Sequence, residues 1–143
     1  RDTRGEADAF VAGMGTTGTL MGCSRYFREK HPRTKVIGIE PVLNHRIQGL
    51  KNMEESIVPP IYEPGLLDRK IVCQDDDAFE LFRDLALREG LFCGLSSGAA
   101  MWGAMEMARD MPRGSTVVVL FADRGDRYLS TEAFRSVCAL CPP

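Results

Sequence analysis

Gly13, Gly15, Gly18 and Gly22 fall within ten residues, with Thr16, Thr17 and Thr19 between them, directly after the apolar run Phe10-Val11-Ala12. Closely spaced glycines let successive main-chain N–H groups converge on one point, and the N-terminus of a following helix adds partial positive charge there. Such a turn holds a phosphate. The threonine hydroxyls add donors that suit a dianionic monoester held by many hydrogen bonds rather than by one lysine. No lysine follows the run, so it is not the GxxxxGK(S/T) nucleotide loop. Gly13, Gly15 and Gly18 do fit the GxGxxG form, with Glu40 as the acidic residue further along, which keeps a dinucleotide open as an alternative. A turn whose glycines only permit close packing on a sheet is a further reading, although threonines suit it poorly.

The elements that must position this turn follow from apolar periodicity. Strands are expected over 8–14, 35–39, 71–74, 91–95 and 116–121, and helices over 19–30, 76–89 and 99–110. Asp75 is a natural N-cap for the second helix, with Phe79, Phe82, Leu85 and Ala86 on one face, and Gly90 supplies a left-handed stop. Pro112 and Gly114 end the third helix, which a second glycine-serine turn, Ser96-Ser97-Gly98, opens. The Val- and Leu-rich run 116–121 reads as a strand buried on both faces. Between 40 and 68 lie four prolines, two glycines and no sustained period. A stretch of that length is functional or packs on a partner, and Val58-Pro59-Pro60-Ile61-Tyr62 is too apolar for a free linker. The alternation predicts an α/β fold with a parallel twisted sheet flanked by helices. Such sheets bind ligands outside the carboxyl ends of their strands, where the polar turns fall.

With 143 residues, 44% hydrophobic and 27% charged, the chain is sized for one core and one domain. A net charge of −2 with interspersed signs gives no footprint for nucleic acid and no basic face for a membrane, so a small ligand is expected. The longest apolar run, 117–122, is far short of a membrane span and no leader pattern precedes the first strand, which points to the cytoplasm. Cys23, Cys73 and Cys93 lie in apolar patterns and read as free buried thiols. Cys138 and Cys141 have metal-like or redox-like spacing, but no histidine nearby completes a ligand set, so no metal is expected. The first residue is Arg1, and the opening residues read as the polar end of something already under way.

Three stretches together resemble one family: Met14-Gly-Thr-Thr-Gly-Thr-Leu-Met-Gly22, Glu89-Gly-Leu-Phe-Cys-Gly-Leu-Ser-Ser-Gly-Ala-Ala100 and Asp123-Arg-Gly-Asp-Arg-Tyr-Leu-Ser-Thr131. They are similar to cysteine synthases (O-acetylserine sulfhydrylases), most closely the B type, over about 8–131. The resemblance implies the tryptophan synthase β-like fold, fold type II of the enzymes that use pyridoxal 5'-phosphate. It also implies a transferase of cysteine biosynthesis that replaces the acetoxy group of O-acetyl-L-serine, or the phosphoryloxy group of O-phospho-L-serine, with sulfide or thiosulfate through an aminoacrylate. The full-length family protein is a homodimer.

Carried over by position, the resemblance assigns Gly15, Thr16, Thr17, Gly18 and Thr19 to the cofactor phosphate, the residues that the loop chemistry singles out. Ser96 matches the partner of the pyridine nitrogen. A hydroxyl there need not protonate the ring, which suits β-elimination better than a strong electron sink would; Ser96 or Ser97 could also cap the helix that follows. Gly49 matches a glycine of the substrate-side loop, or is a plain turn glycine. Lys51 lies where some B-type members carry an arginine for an anionic substrate group, or is a solvated lysine; lysine lacks the planar fork of arginine. His45 reads as a surface polar residue. The turn 123–127 reads as a local ion-pair lattice, with Ala122 where a cysteine is common in the B type.

The family's catalytic lysine comes from an N-terminal Ser-x-Lys-Asp-like motif, and neither this motif nor the family's carboxylate-gripping Ser/Thr-Ser-Gly-Asn segment occurs here. Lys30, Lys35, Lys51 and Lys70 match no catalytic position, so no catalytic residue is assigned within the chain. Residues 1–143 are therefore read as the C-terminal, cofactor-phosphate-binding portion of such an enzyme, with 132–143 as a tail, inactive alone. A non-catalytic phosphometabolite-binding module and a nicotinamide-dependent oxidoreductase are the alternatives.

Overall fold

A computed structural model describes residue 3 and residues 5–131. In chain order it contains β1 (Ala9–Gly13), α1 (Gly18–Lys30), β2 (Lys35–Pro41), β3 (Arg69–Cys73), α2 (Asp75–Glu89), α3 (Leu95–Arg109) and β4 (Val117–Val119), with 3-10 turns at Pro64–Leu66 and Gly125–Tyr128. The strands form one four-stranded sheet in the order β3-β2-β1-β4. Every pairing is parallel, with Val11 opposite both Ile37 and Val119, and Ile39 opposite Ile71. This is the expected architecture.

Side-chain alternation along the strands sends apolar groups to both faces. On one face Phe10, Ala12, Met14 and Val36 pack with Leu20 and Met21 of α1. On the other, Ala9, Val11, Ile37, Ile39 and Ile71 pack with Phe79 and Phe82 of α2 and with Ala99, Ala104 and Met107 of α3. Among the described residues no helix is long and apolar enough to cross a membrane.

Several local expectations change. The apolar run 91–95 makes no strand; only an isolated antiparallel bridge, Cys93 with Arg124, occurs there. Instead α3 begins at Leu95, with Gly94 as its cap and no side-chain cap bond, so neither Ser96 nor Ser97 caps the helix. Small residues make this possible. Ser96, Ser97, Gly98, Ala99 and Ala100 are all buried, which lets α3 lie close under α2 and keeps a weak helix former helical through tertiary contact. Asp75 is the first residue of α2 rather than its cap, which is Gln74. The Asp75 carboxylate instead accepts hydrogen bonds from Arg46 N at 3.0 Å and Arg46 Nε at 3.0 Å. It still lies at the positive end of the helix, where its charge is favoured. Gly90 does terminate α2, with φ 68°.

β4 spans only Val117–Val119, and all three valines are half-buried, because β4 is an edge of the described sheet. The irregular stretch 42–63 is well tied where it meets the sheet and exposed further out: Ile57 is 89% exposed, and Val58 and Ile61 are also exposed.

Burial leaves a mark on alkaline stability. The Cys73 thiol is pushed from 9.0 up to about 12 by burial, with Asp77 and Asp75 adding to it. The Tyr128 phenol moves from 10.0 up to about 12 through burial and its bond to Asp123. Both groups hold their protons more tightly in the folded chain than in the unfolded one. Stability is therefore full below about pH 9 and falls between about pH 9 and 12, as the unfolded chain releases protons that the folded chain keeps. The urea midpoint should drop across this range, and more shallowly in Cys73→Ala; a flat profile contradicts the assignment.

Candidate functional site

β1 is an interior strand whose neighbours leave in opposite directions, through β2 to β3 on one side and to β4 on the other. Such a reversal opens a crevice at the carboxyl end of the strand. The turn after β1 sits there: Met14 N–H bonds to Ile39 O at 2.8 Å, and α1 starts at Gly18. Thr17 caps α1 with φ 61°, a left-handed conformation that non-glycine residues rarely adopt.

A cleft of about 210 Å³ is lined by Gly13, Gly15, Thr16, Thr17, Gly18, Thr19, Leu20, Gly49, Leu50, Ser96, Leu120 and Ala122. Three distant parts of the chain meet in it. A Cβ on Gly15 would lie 2.6 Å from Gly49 O, so the first turn and the 42–52 loop are in main-chain contact. Gly49 itself has φ 91°, and a Cβ there would lie 3.6 Å from Ser96 Oγ. Lys51 N–H donates to Met14 O at 2.7 Å, closing the loop onto the turn. The structure thus brings together Gly15, Thr16, Thr17, Gly18, Thr19, Gly49 and Ser96.

Lys51 is held at this place by its main chain, and its half-buried side chain is not among the groups that line the cleft. His45 is half-buried at the surface: its side chain is 13% exposed, and Nδ1 accepts a hydrogen bond from Ile47 N–H at 3.2 Å. A larger cleft, about 610 Å³, lies beyond the Ile47–Leu50 segment and is lined by His45, Arg46, Ile47, Gln48, Phe79, Leu95, Ser130 and Thr131. Its hydroxyls are those of Ser130 and Thr131 and Leu95 opens α3 there, but it lacks the glycine-threonine turn and the N-terminus of α1.

The electrostatics of the smaller cleft favour an anion. The first N–H groups of α1 have no intrahelical acceptor, and the helix carries no acidic residue in its first turn. Among the described residues, no main-chain bond outside the regular elements uses an N–H of residues 15–19 as donor. Thr17 is 3% exposed, and its Oγ1 is buried without a hydrogen-bond partner. An orphaned hydroxyl of this kind costs roughly 1–3 kcal/mol unless a ligand meets it. The residues present therefore fit a phosphate.

Glu40 does not fit a ribose. It is 2% exposed, accepts from Met53 N–H at 2.9 Å and pairs with Lys70 Nζ, an arrangement that holds the 42–56 segment to the sheet. This bond to Glu40 raises the Lys70 amine above its ordinary range. The acidic partner that a dinucleotide needs is thus engaged elsewhere.

Leu50, Leu120 and Ala122 also line the cleft, and no periodicity marks them for that role. The turn after β4 is only partly the ion-pair lattice its charges suggest. Arg124 Nε lies 3.4 Å from Asp126 Oδ1, whereas Asp123 accepts a hydrogen bond from Tyr128 Oη. Cys73 and Cys93 are buried free thiols and Cys23 is half-buried. Burial pushes the Cys23 and Cys93 thiols up as well. Cys138 and Cys141 lie outside the described residues.

Comparison with known proteins bears on the same span. A family model described as "Pyridoxal-phosphate dependent enzyme" matches residues 1–123. Cysteine synthase B of Salmonella typhimurium (strain LT2) is 42% identical over 134 residues, covering 94% of this chain and 44% of that protein. The cysteine synthase of Aquifex aeolicus is 40% identical over 136 residues, with 92% and 42% covered. The chain therefore spans less than half the length of the curated relatives it matches. Among solved structures, O-ureido-L-serine synthase superposes with a TM-score of 0.86 at 34% identity, covering 92% of this chain and 44% of that one. The cysteine synthase of Entamoeba histolytica gives 0.85 at 34% identity, with 94% and 42% covered. A family model over most of the chain, curated relatives matched along nearly all of it and solved structures that superpose on it lead to one conclusion: the chain belongs to the pyridoxal-phosphate dependent enzyme family.

Proposed function

We propose that this chain supplies the phosphate-binding and ring-nitrogen side of a pyridoxal 5'-phosphate site, as the C-terminal part of a cysteine synthase. The observation that carries this reading is the buried, unpartnered Thr17 Oγ1 beside Gly15, the N-terminus of α1 and Ser96. Main-chain N–H groups at 15–19 and the hydroxyls of Thr16, Thr17 and Thr19 bind the phosphate. Ser96 Oγ donates to the pyridine nitrogen. Ser96 is the second residue of α3, so the positive end of that helix disfavours a proton on the nitrogen and keeps the ring neutral. When bound, the cofactor supplies the electron sink through which an activated serine loses its β-substituent and accepts a sulfur nucleophile. The substrates are O-acetyl-L-serine or O-phospho-L-serine and sulfide or thiosulfate. We assign Gly49 and Lys51 to the substrate side by their place in the 42–52 loop, with Gly49 lining the cleft and the Lys51 side chain outside its lining. The complete protein is a cytoplasmic homodimer. The relatives named cysteine synthase support this reading.

None of Lys30, Lys35, Lys51 and Lys70 lines the cleft, and Lys70 is paired with Glu40. The amine that bonds the cofactor covalently must come from outside this chain. Calorimetry should accordingly give tighter binding of pyridoxine 5'-phosphate than of inorganic phosphate, and borohydride after pyridoxal 5'-phosphate should trap no stoichiometric lysine adduct. A stoichiometric adduct accompanied by cysteine formation overturns the proposal. Equal binding of plain phosphomonoesters points to a phosphometabolite-binding module instead.

A further inference from the structure

The direction of Ser96 depends on how α3 begins, and that start is gripped by the segment after β4. Gly94 N–H donates to Asp123 O at 2.9 Å, and Gly125 N–H donates to Phe92 O at 3.1 Å. With the Cys93–Arg124 bridge these bonds join 92–94 to 123–125 as a short ladder. The 3-10 turn Gly125–Tyr128 then brings Tyr128 back over Asp123, where its Oη donates to Asp123 Oδ2. Both side chains press on Gly94. A Cβ there would overlap Asp123 Oδ1 and lie 2.8 Å from Tyr128 Cε2. Gly125 is confined in turn, because a Cβ on it would lie 2.6 Å from the Phe92 ring and 2.9 Å from Cys93 O. Tyr128 is 6% exposed and Asp123 is half-buried, so the contact is partly shielded from water. Gly94 is the cap of α3 and Ser96 lies two residues on.

We propose that Asp123 and Tyr128 are positioning residues for Ser96: the hydrogen-bonded pair clasps Gly94 and so fixes the first turn of α3 and the aim of the Ser96 hydroxyl into the cleft. This rests on the reading that Ser96 meets the pyridine nitrogen. The phosphate end of the cleft is built by a different segment, 15–19, and neither Asp123 nor Tyr128 lines the cleft. Breaking the clasp therefore acts on recognition of the ring and spares recognition of the phosphate. The Tyr128 phenol, held up at about 12, remains a donor through the ordinary pH range.

The test uses the full 143-residue chain, with pyridoxine 5'-phosphate and inorganic phosphate as calorimetric probes. Tyr128→Phe is expected to weaken pyridoxine 5'-phosphate about fivefold and inorganic phosphate less than about twofold, the size of one lost hydrogen bond at the ring. Ser96→Ala should show the same pattern, and Ser96→Ala with Tyr128→Phe should bind no more weakly than Ser96→Ala alone, because the clasp acts through that hydroxyl. Should Tyr128→Phe fail to fold, Asp123→Ala serves in its place. Asp123→Asn, which keeps a carbonyl acceptor for Tyr128, should restore binding to within about twofold. The proposal is overturned by an equal loss for both probes, by a Tyr128 effect that persists without the Ser96 hydroxyl, or by no loss at all. If Ser96→Ala itself leaves ring recognition unchanged, the assignment of Ser96 has failed, and the positioning role goes with it.

Discussion

Gly15→Ala is expected to weaken the binding of pyridoxine 5'-phosphate sharply while leaving most of the fold intact. The added methyl would stand 2.6 Å from Gly49 O, a main-chain atom that cannot rotate aside. Either the glycine turn or the 42–52 loop must move, and the two are joined by the Lys51 N–H to Met14 O bond of 2.7 Å. Relief at one side thus displaces N–H groups on the other. Overpacking of this kind costs about 1–3 kcal/mol, and displaced donors lose the anion, so affinity should fall by at least about tenfold. Gly18→Ala is the control for stability, since its Cβ would have only Thr16 Oγ1 within reach, at 3.9 Å. Calorimetry and urea unfolding on both variants decide the matter: unchanged binding in Gly15→Ala means that the turn is not the anion site.

Gly98→Ala should give the largest loss of stability. Its Cβ would overlap Ala78 O and lie 2.8 Å from Phe82 N, so α3 meets the backbone of α2 rather than a side chain that could yield. Alanine is the better helix former by about 1 kcal/mol, yet pushing two helices apart in a packed core costs more. A net loss of about 2–3 kcal/mol is expected from the urea midpoint. Gly22→Ala in α1 makes the contrast, because nothing lies within 4 Å of its added methyl. That variant should gain about 0.5–1 kcal/mol. A Gly98→Ala midpoint at or above that of the parent chain would remove close backbone approach as the reason for the small residues of α3.

These glycines also mark where the sequence is readable. Phe10-Val11-Ala12 followed by Gly13, Gly15 and Gly18 announces a strand, an anion-binding turn and a helix, because each of those features is local. The stop of α2 at Gly90 is equally local. The start of α3 is not: Gly94, Ser96, Ser97 and Gly98 look like a turn until α2 lies against them. Likewise, the apolar pattern of 117–119 says buried strand, whereas the valines are half-buried because of the place β4 takes in the sheet. The meeting of Gly15, Gly49 and Ser96 joins residues scores of positions apart, and no periodicity encodes it. The resemblance to cysteine synthases named those residues by position, while only the folded chain gives the reason: main-chain contact at Gly15 and a left-handed φ at Gly49.

The pairing of Val11 with Val119 has a temporal consequence. Among the described strands β1 is an inner strand of the sheet, and its second flank follows it by more than a hundred residues. Parallel pairings of such separation close slowly, since the entropy of the intervening loop is lost before the contact forms. During translation, β1 and the glycine turn wait half-assembled, one side zipped to β2 and the other open, until β4 emerges from the ribosome and brings Leu120 and Ala122 to the cleft.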